Sequence, residues 1–145
     1  MRVLDIGTGG TLGYEGFLPG AELVDYNVIK EDDPKKEINL QWITSAPGKR
    51  DRIKGTFDLI LFTRSLRYNF DEKRKEVDHY LVQRVCELTH QGSWVEIVEY
   101  YEDLHKEIAP RKWCRMFIEP FFKKGFKLRD EVNGQKMIFV RLIKQ

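Results

Sequence analysis

The 145-residue sequence predicts an α/β fold built on a largely parallel β-sheet. Short apolar runs, typical of buried strands, alternate with segments whose apolar residues follow a helical period. The first run, Arg2–Ile6, meets a turn that contains Gly7, Gly9 and Gly10. The chain closes with two strand-like segments around the turn dipeptide Asn133-Gly134, which predicts an antiparallel hairpin at one end of the sheet.

Four strand-like segments occupy the first half of the chain. Arg2–Ile6 and Phe57–Phe62 are nearly continuous apolar runs, which is typical of parallel strands buried on both faces. Ala21–Asp25 is a shorter run that ends on an acid, and Glu37–Ile43 alternates apolar and polar residues. Because strands that alternate with helices are joined by right-handed crossovers, these four segments are predicted to lie parallel in one sheet.

A long helix and a fifth strand are predicted next. Apolar residues recur at helical spacing over Asp71–Gln91, and Gly92 then stands at the C-cap position. The run that follows, Ser93–Glu99, is predicted to be the fifth strand.

The last third of the chain predicts a second helix and the terminal hairpin. The helix covers Arg111–Lys124; we expect Pro120 to break or end it, with Gly125 as the stop. The hairpin strands are Phe126–Val132 and Lys136–Ile143.

The composition suits one globular domain over residues 1–145. Lysine and arginine total 25 and the acids 23, so the net charge of +2 does not by itself indicate a nucleic-acid-binding protein. No apolar run is long enough for a membrane span. Because Met1-Arg2 runs directly into the first strand, we expect no signal peptide. Cys86 and Cys114 lack metal-ligand spacing, so we expect no metal site, two buried reduced thiols and a cytoplasmic protein.

The glycines after the first strand indicate a ligand site. In an open α/β sheet, ligands bind beyond the carboxyl ends of the strands, where the strand order reverses, and glycine lets a ligand approach the main chain closely. The alternative is a plain tight turn. Asp5 would repel a pyrophosphate but suits a cationic group, and Asp25 could accept hydrogen bonds from both hydroxyls of a ribose. The two acids together favour a nucleoside with a cationic end and no phosphate.

The sequence resembles the class I S-adenosylmethionine-dependent methyltransferases, whose cofactor is such a nucleoside. Four segments resemble the family's motifs, in the family's order: Val3–Thr11 the first, Leu23–Tyr26 the second, Phe57–Phe62 with Thr63–Tyr68 the fourth, and Cys86–Gly92 with Ser93–Ile97 the stretch before the fifth strand. The resemblance implies a three-layer Rossmann-like sandwich. Its mostly parallel sheet would have seven strands in the order 3-2-1-4-5-7-6, with strand 7 antiparallel.

The resemblance also implies roles for individual residues. Those that would contact S-adenosylmethionine are Asp5 at the amino end, Gly7, Thr8 and Gly9 along the methionine part, Asp25 at the ribose, Tyr26 beside the adenine, Asn39 near the adenine edge, and Thr63 near the methyl group. Arg64, Tyr100 and His105 follow the fourth and fifth strands, where the acceptor would lie, and are the candidates for catalysis.

Many members of the family carry N-terminal helices that cover substrate and cofactor. Because Arg2 already begins the first strand here, we expect an open cleft that a partner chain, a second copy or a large substrate closes. Basic residues in two segments leave a nucleic-acid acceptor possible but weakly supported: Lys49, Arg50, Arg52 and Lys54, and the segment Arg111–Arg115.

Three functions remain open from the sequence. The preferred one is methyl transfer from S-adenosylmethionine to an unidentified small-molecule or macromolecular acceptor. The second is a non-catalytic S-adenosylmethionine-binding module that acts with a partner chain. The third is a nicotinamide-dependent reductase that uses Gly7, Gly9 and Gly13; Asp5 disfavours it because of its repulsion for a pyrophosphate.

Overall fold

The computed structural model describes residues 1–6, 22–26, 55–71, 76–104 and 106–145. For residues 22–26, 68–71 and 80 it describes the backbone alone. The predicted strand Glu37–Ile43, the glycine turn and the basic residues from Lys49 to Lys54 lie outside this part of the chain.

The described residues form an α/β fold around one mixed sheet. Its strands are β1 (Arg2–Ile6), β2 (Glu22–Tyr26), β3 (Phe57–Thr63), β6 (Thr89–Tyr100), β7 (Phe126–Asn133) and β8 (Met137–Lys144). The spatial order is β2-β1-β3-β6-β8-β7. β2, β1, β3 and β6 run parallel to one another, and β8 runs antiparallel to both β6 and β7. Two very short strands, β4 (Phe70–Asp71) and β5 (Glu76–Val77), pair separately.

The α/β class and the mixed sheet are confirmed. The described sheet has six strands rather than the predicted seven. The strand predicted at Glu37–Ile43 lies outside the described residues.

Two α-helices in the described part of the chain pack on one face of the sheet: α1 (His79–Glu87) and α2 (Pro110–Phe122). Along Ser93–Tyr100 of β6 and Met137–Ile143 of β8, side chains alternate between buried and half-buried. The buried set joins both helices in one core, with members such as Val95, Ile97, Val140 and Leu142 from the strands and Leu81, Val85, Phe117 and Phe121 from the helices. The half-buried side chains lie on the other face of these strands; Trp94, Val98, Phe139 and Arg141 are among them.

The first helix is much shorter than the predicted Asp71–Gln91. Val77 belongs to β5, where it pairs with Phe70, so its apolar side chain fits a strand as well as a helical period. Asp78 then caps the helix: its carboxylate accepts the Leu81 N–H at 3.4 Å and its carbonyl accepts the Val82 N–H. The helix therefore begins at His79.

Gly92 is not the helix C-cap that was predicted. The helix ends at Glu87, and Gly92 lies within β6 with a φ of +88°. There the β3–β6 register shifts, because Phe57 pairs with Thr89 whereas Leu59 pairs with Trp94. Ser93 holds the bulge by donating its hydroxyl to the Phe57 carbonyl at 2.7 Å. A positive φ is needed at both a C-cap and a bulge, so glycine alone does not distinguish them.

The second helix runs through Pro120 rather than breaking there. Pro120 lies near the last turn, and the helix ends two residues later. Gly125, with a φ of +88°, follows as predicted. The apolar side chains Trp113, Met116 and Phe117 are buried, as expected of an amphipathic helix. The terminal hairpin around Asn133-Gly134 is also confirmed, because Gly134 donates its N–H to the Met137 carbonyl at 2.9 Å.

Both cysteines are free thiols. Cys114 is buried and Cys86 is half-buried. Burial raises the pKa of Cys114 to about 12. No helix in the described ranges is long and apolar enough to cross a bilayer. The same ranges contain no group of three His, Cys, Asp or Glu side chains arranged to hold a metal ion.

Candidate active site at the carboxyl edge of the sheet

The strand order reverses at β1, which has β2 on one side and β3 on the other. A crevice opens beyond the carboxyl ends of parallel strands at such a reversal. Asp5 and Asp25 are register partners across β1 and β2, one position before the end of each strand. The Asp5 side chain is completely buried. The two acids singled out from the sequence are therefore neighbours at this edge.

The segment after β3 is tied to the end of β1. Ser65 is buried and donates its hydroxyl to the Ile6 carbonyl at 2.6 Å. Thr63, the last residue of β3, is half-buried and pairs with Val98 of β6. These contacts hold the carboxyl ends of β1, β3 and β6 side by side at one edge of the sheet.

Arg64 has a strained backbone, with a φ of +56° that non-glycine residues seldom adopt. Its side chain is tied down: the guanidinium binds both carboxylate oxygens of Asp103, at 2.8 and 3.0 Å, and reaches Glu102 at 3.3 Å. It also lies 4.6 Å from the centre of the Tyr100 ring, in a cation–π contact. Left-handed backbone at the end of a central strand is typical of functional sites. Arg64 thereby joins the end of β3 to the turn after β6.

Arg67, three residues after Arg64, also connects the segment after β3 to the end of β6. Its backbone N–H and its guanidinium both bind the Glu99 carboxylate, at 3.1 and 3.4 Å. The same guanidinium donates to the Arg64 carbonyl at 2.7 Å and to Asp103 at 3.1 Å. Asp103 therefore bridges two arginines. We call Arg64, Arg67, Glu99 and Asp103 the arginine–carboxylate clamp.

The pKa values of the two clamp carboxylates, Asp103 and Glu99, shift in opposite directions. The Arg64 hydrogen bonds lower the pKa of Asp103, so this carboxylate stays ionised. Glu99 is completely buried at the carboxyl end of β6. Its loss of hydration raises the pKa of its carboxyl, and the bonds from Arg67 only partly offset that rise.

Replacing Glu99 with glutamine should remove a pH dependence of stability. Because the pKa of Glu99 is higher in the folded chain, the folded state binds its proton more tightly. That stabilisation is complete below pH 4.5, the ordinary value, and is lost as pH rises through the folded pKa. The free energy of unfolding of wild type, minus that of Glu99→Gln, should therefore fall with rising pH in urea titrations. A difference that stays constant or increases with pH would contradict the assignment.

The structure brings some of the sequence-predicted residues together and leaves others undescribed. Asp5, Thr63, Arg64 and Tyr100 lie at the carboxyl edge, as does the backbone of Asp25 and Tyr26. Gly7, Thr8, Gly9, Asn39 and His105 are outside the described residues. The sequence reasoning missed the roles of Arg67 and Asp103. The signal in the sequence was that arginines follow the fourth predicted strand and acidic residues follow the fifth. Both of these strands end at the predicted cleft.

Comparison with known proteins finds the fold but no sequence relative. No family model matches the sequence, and neither does any curated protein. Among solved structures, a TehB-like SAM-dependent methyltransferase from Corynebacterium glutamicum is similar with a TM-score of 0.65 and 15% identity. The match covers 99% of this chain and 80% of that one.

Two further structures are similar over the same extent of this chain. The N-methyltransferase NodS from Bradyrhizobium japonicum, in complex with S-adenosyl-L-homocysteine, has a TM-score of 0.63 and 14% identity; the match covers 99% of this chain and 78% of that one. A type 11 methyltransferase from Sulfolobus solfataricus has 20% identity and a TM-score of 0.52, with 99% and 83% of the two chains covered.

Proposed function

We infer, from the fold that this chain shares with S-adenosylmethionine-dependent methyltransferases, that it binds S-adenosylmethionine and transfers its methyl group to an acceptor. The observation that carries the inference is the register of Asp5 and Asp25 at the strand-order reversal. The complete sheet would have seven strands, with the segment Glu37–Ile43 beside β2. When the strands of this sheet alone are numbered along the chain, their spatial order would be 3-2-1-4-5-7-6.

The acids at the two strand ends suit this cofactor. The Asp5 carboxylate would attract a cationic nucleoside that lacks phosphate, whereas it would repel the pyrophosphate of a dinucleotide. We propose that Asp5 attracts the amino end and that Asp25 accepts the ribose hydroxyls, with Tyr26 beside the adenine. Gly7, Thr8 and Gly9 would line the methionine part, Asn39 the adenine edge and Thr63 the methyl group.

The acceptor would lie beside Arg64 and Tyr100. The cofactor supplies an activated methyl group on sulfur, so the chain's task is to hold the acceptor in line and to exclude water. The clamp fixes the Arg64 backbone and the Tyr100 ring, which gives the acceptor a rigid wall. Because the guanidinium of Arg64 is held by Asp103 and Glu102, we propose that Arg64 shapes this wall and that Tyr100 contacts the acceptor, with His105 as a further candidate.

Calorimetry with S-adenosylhomocysteine tests the cofactor, and transfer of tritium from labelled S-adenosylmethionine to pooled acceptors tests the reaction. The pools would be assayed with and without cell lysate. Binding with transfer supports a methyltransferase. Binding without transfer in any pool supports the second candidate, a non-catalytic module that needs a partner chain. Absence of binding, or preferential binding of a reduced nicotinamide, overturns the proposal.

A further inference from the structure

The buried hydroxyl of Ser65 connects two strand ends at the candidate site. Ser65 follows Arg64, where β3 has ended and the backbone has a left-handed φ of +56°. Its hydroxyl donates to the carbonyl of Ile6, the last residue of β1, at 2.6 Å. The exposed fractions of Ser65 and Ile6 are 1% and 0%, so water would not readily replace this bond. The bond therefore holds the end of β1 against the segment that follows β3.

The backbone that carries Ser65 is held on both sides. Arg64 donates its backbone N–H to the Val98 carbonyl of β6 at 2.8 Å. Arg67 donates its backbone N–H to the Glu99 carboxylate at 3.1 Å and its guanidinium to the Arg64 carbonyl at 2.7 Å. Because Ser65 lies between these two arginines, its hydroxyl is a donor in a fixed position. Such a donor restricts the position of its acceptor more than a mobile side chain would.

The acceptor of this bond is the peptide that leads into the predicted cofactor turn. A peptide unit is planar, so the carbonyl of one residue and the N–H of the next share a plane. The residue after Ile6 is Gly7, which we have proposed to line the methionine part of S-adenosylmethionine. A hydrogen bond to the Ile6 oxygen consequently limits the rotation of the peptide that carries the Gly7 N–H. It also limits movement of Asp5, which precedes Ile6 in the same strand.

We propose that Ser65 is a positioning residue for S-adenosylmethionine. Its hydroxyl holds the end of β1 so that Asp5 and the peptide before Gly7 keep the orientation that the cofactor needs. Ser65 acts through Ile6 and does not itself contact the cofactor. This role rests on the proposed function, because it adds a residue to the same site. Small displacements of binding groups weaken binding even when the groups themselves are unchanged.

Ser93 offers a matched control at the opposite end of β3. Its buried hydroxyl donates to the carbonyl of Phe57, the first residue of β3, at 2.7 Å. The seven residues of this strand span roughly 20 Å, so the Ser93 bond lies far from the carboxyl edge. Ser93 also accepts the His90 N–H at 2.9 Å. Its replacement by alanine should therefore cost at least as much stability as the same change at Ser65.

Calorimetry with S-adenosylhomocysteine and thermal unfolding of the full chain test the proposal. Ser65→Ala should raise the dissociation constant about 10-fold and lower the midpoint of thermal unfolding by about 4 °C. Ser93→Ala should lower the midpoint at least as far, yet keep the dissociation constant within about 2-fold of wild type, because distant sites act independently. Ser65→Thr keeps the hydroxyl and should recover most of the affinity. All titrations are made well below the lowest midpoint, so that each variant is folded.

The positioning role is overturned if wild type binds S-adenosylhomocysteine and Ser65→Ala binds it equally well. It is also overturned if Ser93→Ala weakens binding as much as Ser65→Ala, since a loss of stability would then explain both. A Ser65→Thr variant as weak as Ser65→Ala would show that the hydroxyl is not the group that matters. If Ser65→Ala fails to fold, Ser65→Cys replaces it, because a thiol of similar size is a weaker donor. Wild type that does not bind overturns the proposed function itself, which is a separate outcome.

Discussion

Arg67→Leu should lower the free energy of unfolding by about 3 kcal/mol at neutral pH, because it leaves Glu99 as a buried carboxylate without its main cation. It also removes the donor that holds the Arg64 carbonyl and one oxygen of Asp103. Urea unfolding followed by tryptophan fluorescence measures the change. At pH 4 the loss should be smaller, since a protonated Glu99 has less need of a cation.

Two matched variants separate the clamp from a general effect of losing an arginine. Arg84→Leu breaks an ion pair, at 3.1 Å, with the exposed carboxylate of Glu87 and should cost less than ~1 kcal/mol, because that carboxylate is hydrated without its partner. The double variant Arg67→Leu/Glu99→Leu should recover most of the lost stability, because apolar pairs replace buried ion pairs at little cost. If the double variant is as unstable as Arg67→Leu, the buried charge is not the reason for the loss.

Asp25→Ala should weaken the binding of S-adenosylhomocysteine by roughly 1–3 kcal/mol, the free energy typical of leaving hydrogen-bonding groups without a partner. That corresponds to a dissociation constant raised about 5- to 150-fold in calorimetry. Glu22→Ala is the matched control, because Glu22 begins the same strand and the change in charge is identical. Its affinity should be close to that of wild type. Equal affinity of Asp25→Ala and wild type would refute the ribose assignment.

Most of the sheet could be predicted from the sequence because its strands are local apolar runs bounded by glycine or charge. Phe57–Phe62 differs from the observed β3 only by the addition of Thr63. The hairpin was predicted from the turn dipeptide Asn133-Gly134. The hairpin is present, but neither residue has the positive φ of a two-residue type I′ turn, and Asn133 is instead the last residue of β7. The predicted first helix began too early. Apolar residues at helical spacing continue before His79, but the Asp78 side chain caps the helix, and the cap determines where the helix begins.

The clamp could not be predicted in the same way. Arg64 and Asp103 are 39 residues apart, and their bidentate contact depends on β3 and β6 being neighbours. The sequence shows that Arg64 follows a buried strand, which made it a candidate for catalysis. It does not show that the guanidinium is held by two carboxylates. Which charged side chains meet is a property of tertiary geometry, whereas strand-forming runs are a property of short segments.

The protonated state of the two native cysteines has a practical consequence. Burial raises the pKa of both thiols, to about 12 for Cys114, so little reactive thiolate exists near neutral pH. A third cysteine introduced at an exposed site such as Leu128 would react with a maleimide much faster than either native one. Fluorescent or spin labels can therefore be attached at a chosen point without first deleting the native cysteines.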